Sequence, residues 1–242
     1  MGLLPQATVV WAWLVGTFAC INIVYGALSA MAQRDLKYVI AYSSVSHMGV
    51  VMLGAATLTL NGLNGSVFQM FAHGIMTGLF FALVGLIYEK AHSREIFKMG
   101  GFGTMMPGIA VAFTIGGLSS LGLPATAGFV AECLTFPGAW GSAHSWWLYP
   151  GVLGAFLTSI YVLRVAKQIF WGAKSDDPHF QDLPDAKGPE WAALGILVFV
   201  LVLFGVAPSI AIGPVDTATA PLLRRVVPAA STQLETPVPI QR

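Results

Sequence analysis

Gly122-Leu123-Pro124-Ala125-Thr126-Ala127-Gly128 lies at the centre of an apolar run from Met105 to Trp140, and the way that run crosses a bilayer decides the fold. As one straight helix the run would be about 54 Å long, against a hydrocarbon core of about 30 Å. Two full crossings would need more residues than it has. Pro124 removes a backbone donor, and Gly122 and Gly128 loosen the chain on either side of it, so the helix is expected to break over Gly122–Gly128.

The surrounding cations say how often the broken run crosses. Five other segments are long and apolar enough to span: 8–30, 38–58, 65–87, 147–170 and 191–212. If 105–140 crosses once, Arg34 and Lys37, then Lys90, Arg94 and Lys98, then Arg164, Lys167, Lys174 and Lys187 all fall on one side. The opposite loops, 59–64 and 141–146, carry no Lys or Arg. Two crossings would send the third basic cluster to the other side. The positive-inside rule therefore favours about six transmembrane helices, with the fourth broken, basic loops cytoplasmic and both termini outside. The polar segment 173–190 is an inner loop, and Trp146, Trp147, Trp171 and Trp191 mark span ends. The tail, 213–242, is rich in Pro, Thr and Ala and is expected to be poorly ordered.

Composition requires the same class. Of 242 residues, 56% are hydrophobic and 10% charged, and mean hydropathy is +0.73. Soluble domains carry about 25% charged residues, so this chain cannot clothe a water-exposed surface. The N-terminus has no basic segment before its apolar stretch and reads as a transmembrane start rather than a signal peptide. A net charge of +1 gives no reason to expect nucleic acid as a partner. Cys20 and Cys133 sit in apolar runs without His at ligand spacing, so they read as inert thiols and no metal or iron–sulfur site is expected.

His47, His73 and Glu132 lie deep within spans, where a charge costs about 2.5–3.5 kcal/mol on insertion scales. Ser43, Ser46 and His47 share one face of the second span, and Gln69, His73 and Thr77 form a stripe in the third. Glu132 follows the break by one to two turns. Two histidine-bearing polar seams beside a broken helix point to a proton path, because histidine changes charge near physiological pH. The competing reading is that each group only hydrogen-bonds a neighbouring helix. Lys37 reads first as a snorkelling lysine, with pathway support as its second role. Arg164 and Lys167 read as anchors, His92, Arg94 and His144 as loop residues, and Gly116 and Gly117 as packing positions. No dinucleotide fingerprint, P-loop or nucleophile elbow appears.

Gln33-Arg34-Asp35-Leu36-Lys37 followed by Ala41-Tyr42-Ser43-Ser44-Val45-Ser46-His47-Met48-Gly49 resembles the antiporter-like membrane subunits of respiratory complex I, and among them the M-type, or fourth, subunits. Gln69-Met70-Phe71-Ala72-His73-Gly74, Tyr88-Glu89-Lys90-Ala91-His92-Ser93-Arg94, Gly100-Gly101 and Leu121 to Glu132 extend the resemblance over roughly 25–208. Ala131 stands where that family usually has glycine. The resemblance implies a fourteen-helix subunit built from two inverted five-helix repeats, of which this chain would be the second repeat and closing helix. The family's outer-half proton path would then map onto His47, His73 and Glu132. The first repeat's broken helix and buried lysines, and the central lysine before the second repeat, have no counterpart here.

The resemblance further implies proton translocation as a subunit of a bacterial inner-membrane NADH:quinone oxidoreductase. Its partners would be other membrane subunits, protons and the lipid bilayer, while NADH, FMN, iron–sulfur clusters and quinone are expected only in partner subunits. Two alternatives stay open: a subunit of an Mrp-type cation/proton antiporter or hydrogenase-linked complex, and a non-transporting scaffold fragment.

Overall fold

The computed structural model describes residues 4–175, 177–180 and 182–227. These residues form an all-helical bundle of α1 (Pro5–Ala32), α2 (Leu36–Ala56), α3 (Leu60–Ala91), α4 (Pro107–Ser120), α5 (Ala127–Trp140), α6 (Leu148–Ala166), α7 (Gly188–Val206) and α8 (Ser209–Val226). α6 runs on into a π turn, Lys167–Trp171. Five helical segments are long and apolar enough to cross a membrane: α1, α2, α3, α6 with its flanking turns, and α7.

The central run forms two short helices, α4 and α5, of 14 residues each. At about 1.5 Å per residue neither spans a bilayer alone. They form one crossing in two pieces. α4 begins where Asp185, from the loop before α7, accepts the backbone N–H groups of Gly108 and Ile109 at 2.8 and 3.2 Å. This carboxylate satisfies donors that the first turn of a helix leaves free. α5 ends at the opposite face, where Gly141 lines a cavity with residues of α1 and the α2–α3 turn.

The two ends of the bundle differ. At one end the loops after α1, α3 and α6 meet. Leu36 N–H donates to the Arg94 carbonyl and Ile96 N–H to the Arg34 carbonyl, both at 2.9 Å, and Arg94 faces Asp35 at 3.5 Å. Ser175 N–H reaches the Gly100 carbonyl at 3.4 Å, and Lys90 pairs with Glu190 at 3.2 Å. The three basic clusters therefore share an end. The other end gathers Val9, Thr57, Thr59, His144 and Val227 around one cavity.

Small residues set the close contacts. Gly26 of α1 stands on the Ser46 backbone, and Gly49 of α2 stands on Ile23 and Ala19. Gly62 and Gly138 touch between α3 and α5, and Gly65 packs on Thr135. Without a hydrophobic drive between helices in lipid, such close backbone approach supplies the packing energy. Large apolar side chains point outward instead, including Trp11, Phe18, Tyr25, Phe156 and Phe199.

Four expectations need correction. The break covers residues 121–126, and Gly128 is already the second residue of α5; the positive φ angles fall on Gly122 and Ala125. The last span ends at Val206, because Pro208 cannot donate to continue α7. The expected loose tail from Gly213 is helical through Val226, since Thr219, Leu223 and Val226 form one buried face. Residues 228–242 of that tail lie outside the described residues. Trp147 is not interfacial: it is 1% exposed, packed beneath Gly16 and stacked on His144 at 4.6 Å.

Candidate functional site

The face of α2 that carries Ser43, Ser46 and His47 turns inward, and all three side chains are buried. Their partners separate their roles. Ser46 Oγ donates to the Ile23 carbonyl of α1 at 2.8 Å, so it joins two helices. Ser43 Oγ accepts from the Tyr161 hydroxyl of α6 at 2.6 Å, and that hydroxyl also lies 3.4 Å from Thr158.

His47 is the centre of the site. Its Nε2 lies 3.0 Å from Ser120 Oγ and its Nδ1 lies 3.2 Å from Gln69 Nε2. An amide nitrogen can only donate, so in this arrangement Nδ1 accepts and the Nε2–H faces Ser120. The other end of the Gln69 amide, Oε1, is buried without a partner. Turned about, the same amide would accept from an Nδ1–H, so Gln69 suits both forms of the imidazole.

Gln69, His73 and Thr77 all lie on α3 at i, i+4 spacing. His73 Nε2 lies 3.0 Å from Thr77 Oγ1, and its ring centroid is 5.7 Å from that of His47. Two helices thus bring their histidines together in mid-bundle. Two hydrogen-bonded groups face each other there, Thr77–His73 on α3 and Ser120–His47–Gln69 around α2, with the two rings 5.7 Å apart.

Glu132 projects back from α5 onto the break, with its carboxylate against Gly122. Among the described residues it forms no salt bridge and no hydrogen bond, so no direct bond links it to the histidines. Pro124 lies in the turn that separates α4 from α5. Lys37 stands apart: its side chain is exposed at the basic-loop end, and only its backbone N–H is engaged, by the Asp35 carboxylate at 2.8 Å.

Ser120 and Tyr161 escaped the sequence reading. Ser119-Ser120 directly precedes Leu121-Gly122, so a hydroxyl at the end of a half-helix was a visible signal. Tyr161 offered a weaker one, a phenol three residues after Thr158 in an otherwise apolar span.

The family described as "NADH:quinone oxidoreductase/Mrp antiporter, TM" matches residues 1–158. A Nostoc sp. protein named NAD(P)H-quinone oxidoreductase chain 4 1 is 36% identical over 243 residues, covering 96% of this chain and 45% of that protein. The Rickettsia prowazekii NADH-quinone oxidoreductase subunit M is 37% identical over 209 residues, covering 86% of this chain and 42% of that one. A chain of respiratory complex I from Thermus thermophilus with bound NADH superposes with a TM-score of 0.83 at 32% identity, over 90% of this chain and 46% of that chain. A chain of the Mrp complex from Dietzia sp. shares the fold, with a TM-score of 0.79 at 21% identity over 92% of this chain and 49% of that chain. This chain spans under half the length of the curated relatives it matches.

Proposed function

The chain belongs to the NADH:quinone oxidoreductase/Mrp antiporter transmembrane family, and on that premise we propose that it carries protons across the membrane as part of an NADH:quinone oxidoreductase. The observation that carries this reading is the paired histidines, each hydrogen-bonded and 5.7 Å apart on different helices. Histidine takes up and releases protons near neutral pH, and Gln69, Ser120 and Thr77 offer partners to both forms. Glu132, beside the helix break, is the further acid–base station. Residues 1–212 are the conducting domain, and α8 closes the bundle at the end away from the basic loops.

The basic loops face the cytoplasm of a bacterial cell and the N-terminus faces outside. Electron transfer, with NADH, FMN, iron–sulfur clusters and quinone, takes place in partner subunits. The exposed apolar faces of α1, α6 and α7 meet lipid or other membrane subunits.

The Mrp-like alternative differs in its ion. Proton uptake into vesicles bearing the native complex is expected to proceed unchanged when sodium is replaced by choline. A strict sodium requirement would move the chain to the antiporter reading. The scaffold reading requires that changes at the histidines leave transport intact.

A further inference from the structure

α1 and α6 meet closely along one line, where Gly154 stands on Ile23. Beside that line they part. Ile21, Val24, Tyr25 and Leu28 of α1, with Trp146 and Pro150 at one end, border an open groove of about 480 Å³ on the outside of the bundle. Thr17 and Cys20 complete the lining, and both are already satisfied. Thr17 Oγ1 donates to the Trp13 carbonyl at 2.7 Å, and Cys20 Sγ donates to the Trp147 carbonyl at 3.9 Å. The groove therefore suits a hydrocarbon chain rather than a polar ligand.

The groove leads to a cation. Residues 17, 21, 24 and 28 share one face of α1, and Met31 is the next turn along that face. The Arg164 guanidinium donates to the Met31 carbonyl at 3.4 Å and lies 5.6 Å from the centre of the Phe97 ring. These two contacts hold it at the end of the bundle that carries the basic loops, and they use one of its five donors. Lys167 follows one turn later, also exposed. Lys90, Arg94 and Lys98 each face a carboxylate. Among the described residues Arg164 and Lys167 face none.

Depth fits the same molecule. Met31 to Thr17 is about 21 Å along the helix, and the hydrocarbon of one leaflet is about 15 Å deep. The groove thus runs from headgroup level through a whole leaflet. A protein helix laid there would need its own carboxylate level with Arg164. A phospholipid brings phosphate to that level and hydrocarbon to the groove in one molecule, and guanidinium pairs with phosphate through two parallel hydrogen bonds.

We propose that this groove holds an anionic phospholipid of the leaflet on the basic-loop side, with its phosphate on Arg164 and Lys167 and one acyl chain along α1. The site does not depend on the proton-carrying role proposed above. It gives one of the exposed apolar faces a defined occupant.

The test uses phosphatidylcholine vesicles carrying the native complex and a trace of phosphatidylglycerol or phosphatidylcholine with a photoactivatable diazirine in its acyl chain. After illumination, mass spectrometry measures the label on residues 17–28. Phosphatidylglycerol is expected to label that stretch well above phosphatidylcholine. Arg164→Gln and Lys167→Gln are each expected to lower the excess about fivefold, the equivalent of one basic residue at a membrane surface. Both side chains are exposed, so these substitutions leave the buried packing untouched. Val24→Trp fills the groove and is expected to remove the label with both cations in place. Equal labelling by the two lipids, or an excess that survives both glutamine substitutions, would overturn the proposal. No label on 17–28 from either lipid would mean that a protein neighbour fills the groove, and would overturn it as well.

Discussion

The ring of His47, on α2, stands 5.7 Å from the ring of His73, on α3. Two full charges at that separation would repel by about 3 kcal/mol at an effective dielectric constant of about 20. The pair therefore suits one excess proton passed from ring to ring, in series. Groups in series lose function together, so the effects of removing them do not add. His47→Ala and His73→Ala are each expected to abolish most proton translocation, and the double variant to be no worse than the weaker single. Initial rates of vesicle acidification at matched abundance give the comparison. Additive losses would mean two independent roles.

Gly122 ties the break to Glu132. Its φ of 66° lies in the left-handed region, and a Cβ there would run into the Glu132 carboxylate. Gly122→Ala is expected to cost about 1–2 kcal/mol from backbone strain alone and to push the carboxylate off its place. Ala125, at φ 72°, holds a similar strain with a side chain already present. Ala125→Gly is therefore expected to raise stability by up to about 1 kcal/mol. Gly74→Ala, on a helical glycine with nothing within 4 Å of the added carbon, is expected to raise stability by about 0.5–1 kcal/mol, and controls for a methyl group added without a clash. Thermal unfolding of the three purified variants in one detergent ranks them.

Asp185 holds the start of α4 from a distance in sequence, through Gly108 and Ile109. Removing a carboxylate that caps a helix costs about 0.5–2 kcal/mol. Asp185→Asn keeps an acceptor oxygen and is expected to recover much of what Asp185→Ala loses. The same thermal measurement separates them. If Asp185→Ala melts with the native protein, the capping contact carries no stability.

Much of this structure was legible in residue order. Span count, the sharing of one end by the basic loops and the broken helix all follow from hydropathy, Pro124 and the placement of Lys and Arg. The pairing of His47 with His73 did not, because periodicity gives a face for each helix and never the partner it meets. The same limit hid Ser120 and Tyr161, which matter only through what lies across from them. α8 misled in composition. Its Pro214, Pro221 and small polar residues read as a loose tail, while Thr219, Leu223 and Val226 repay their ordering by packing, with Thr219 donating to Asn64 and Asn64 to Asp216 at 2.9 Å.

The central claim is that His47, His73 and Glu132 move protons rather than only join helices. The most direct measurement is the NADH-driven acidification rate of vesicles from cells carrying Glu132→Gln or His73→Ala, at abundance equal to the native chain. Both substitutions leave side chains that the surrounding helices can accommodate, and both remove a group that exchanges protons. The account predicts a rate lowered at least about tenfold in each, within the range that a positioned acid–base group contributes. Native rates in both variants, at equal abundance, would contradict it.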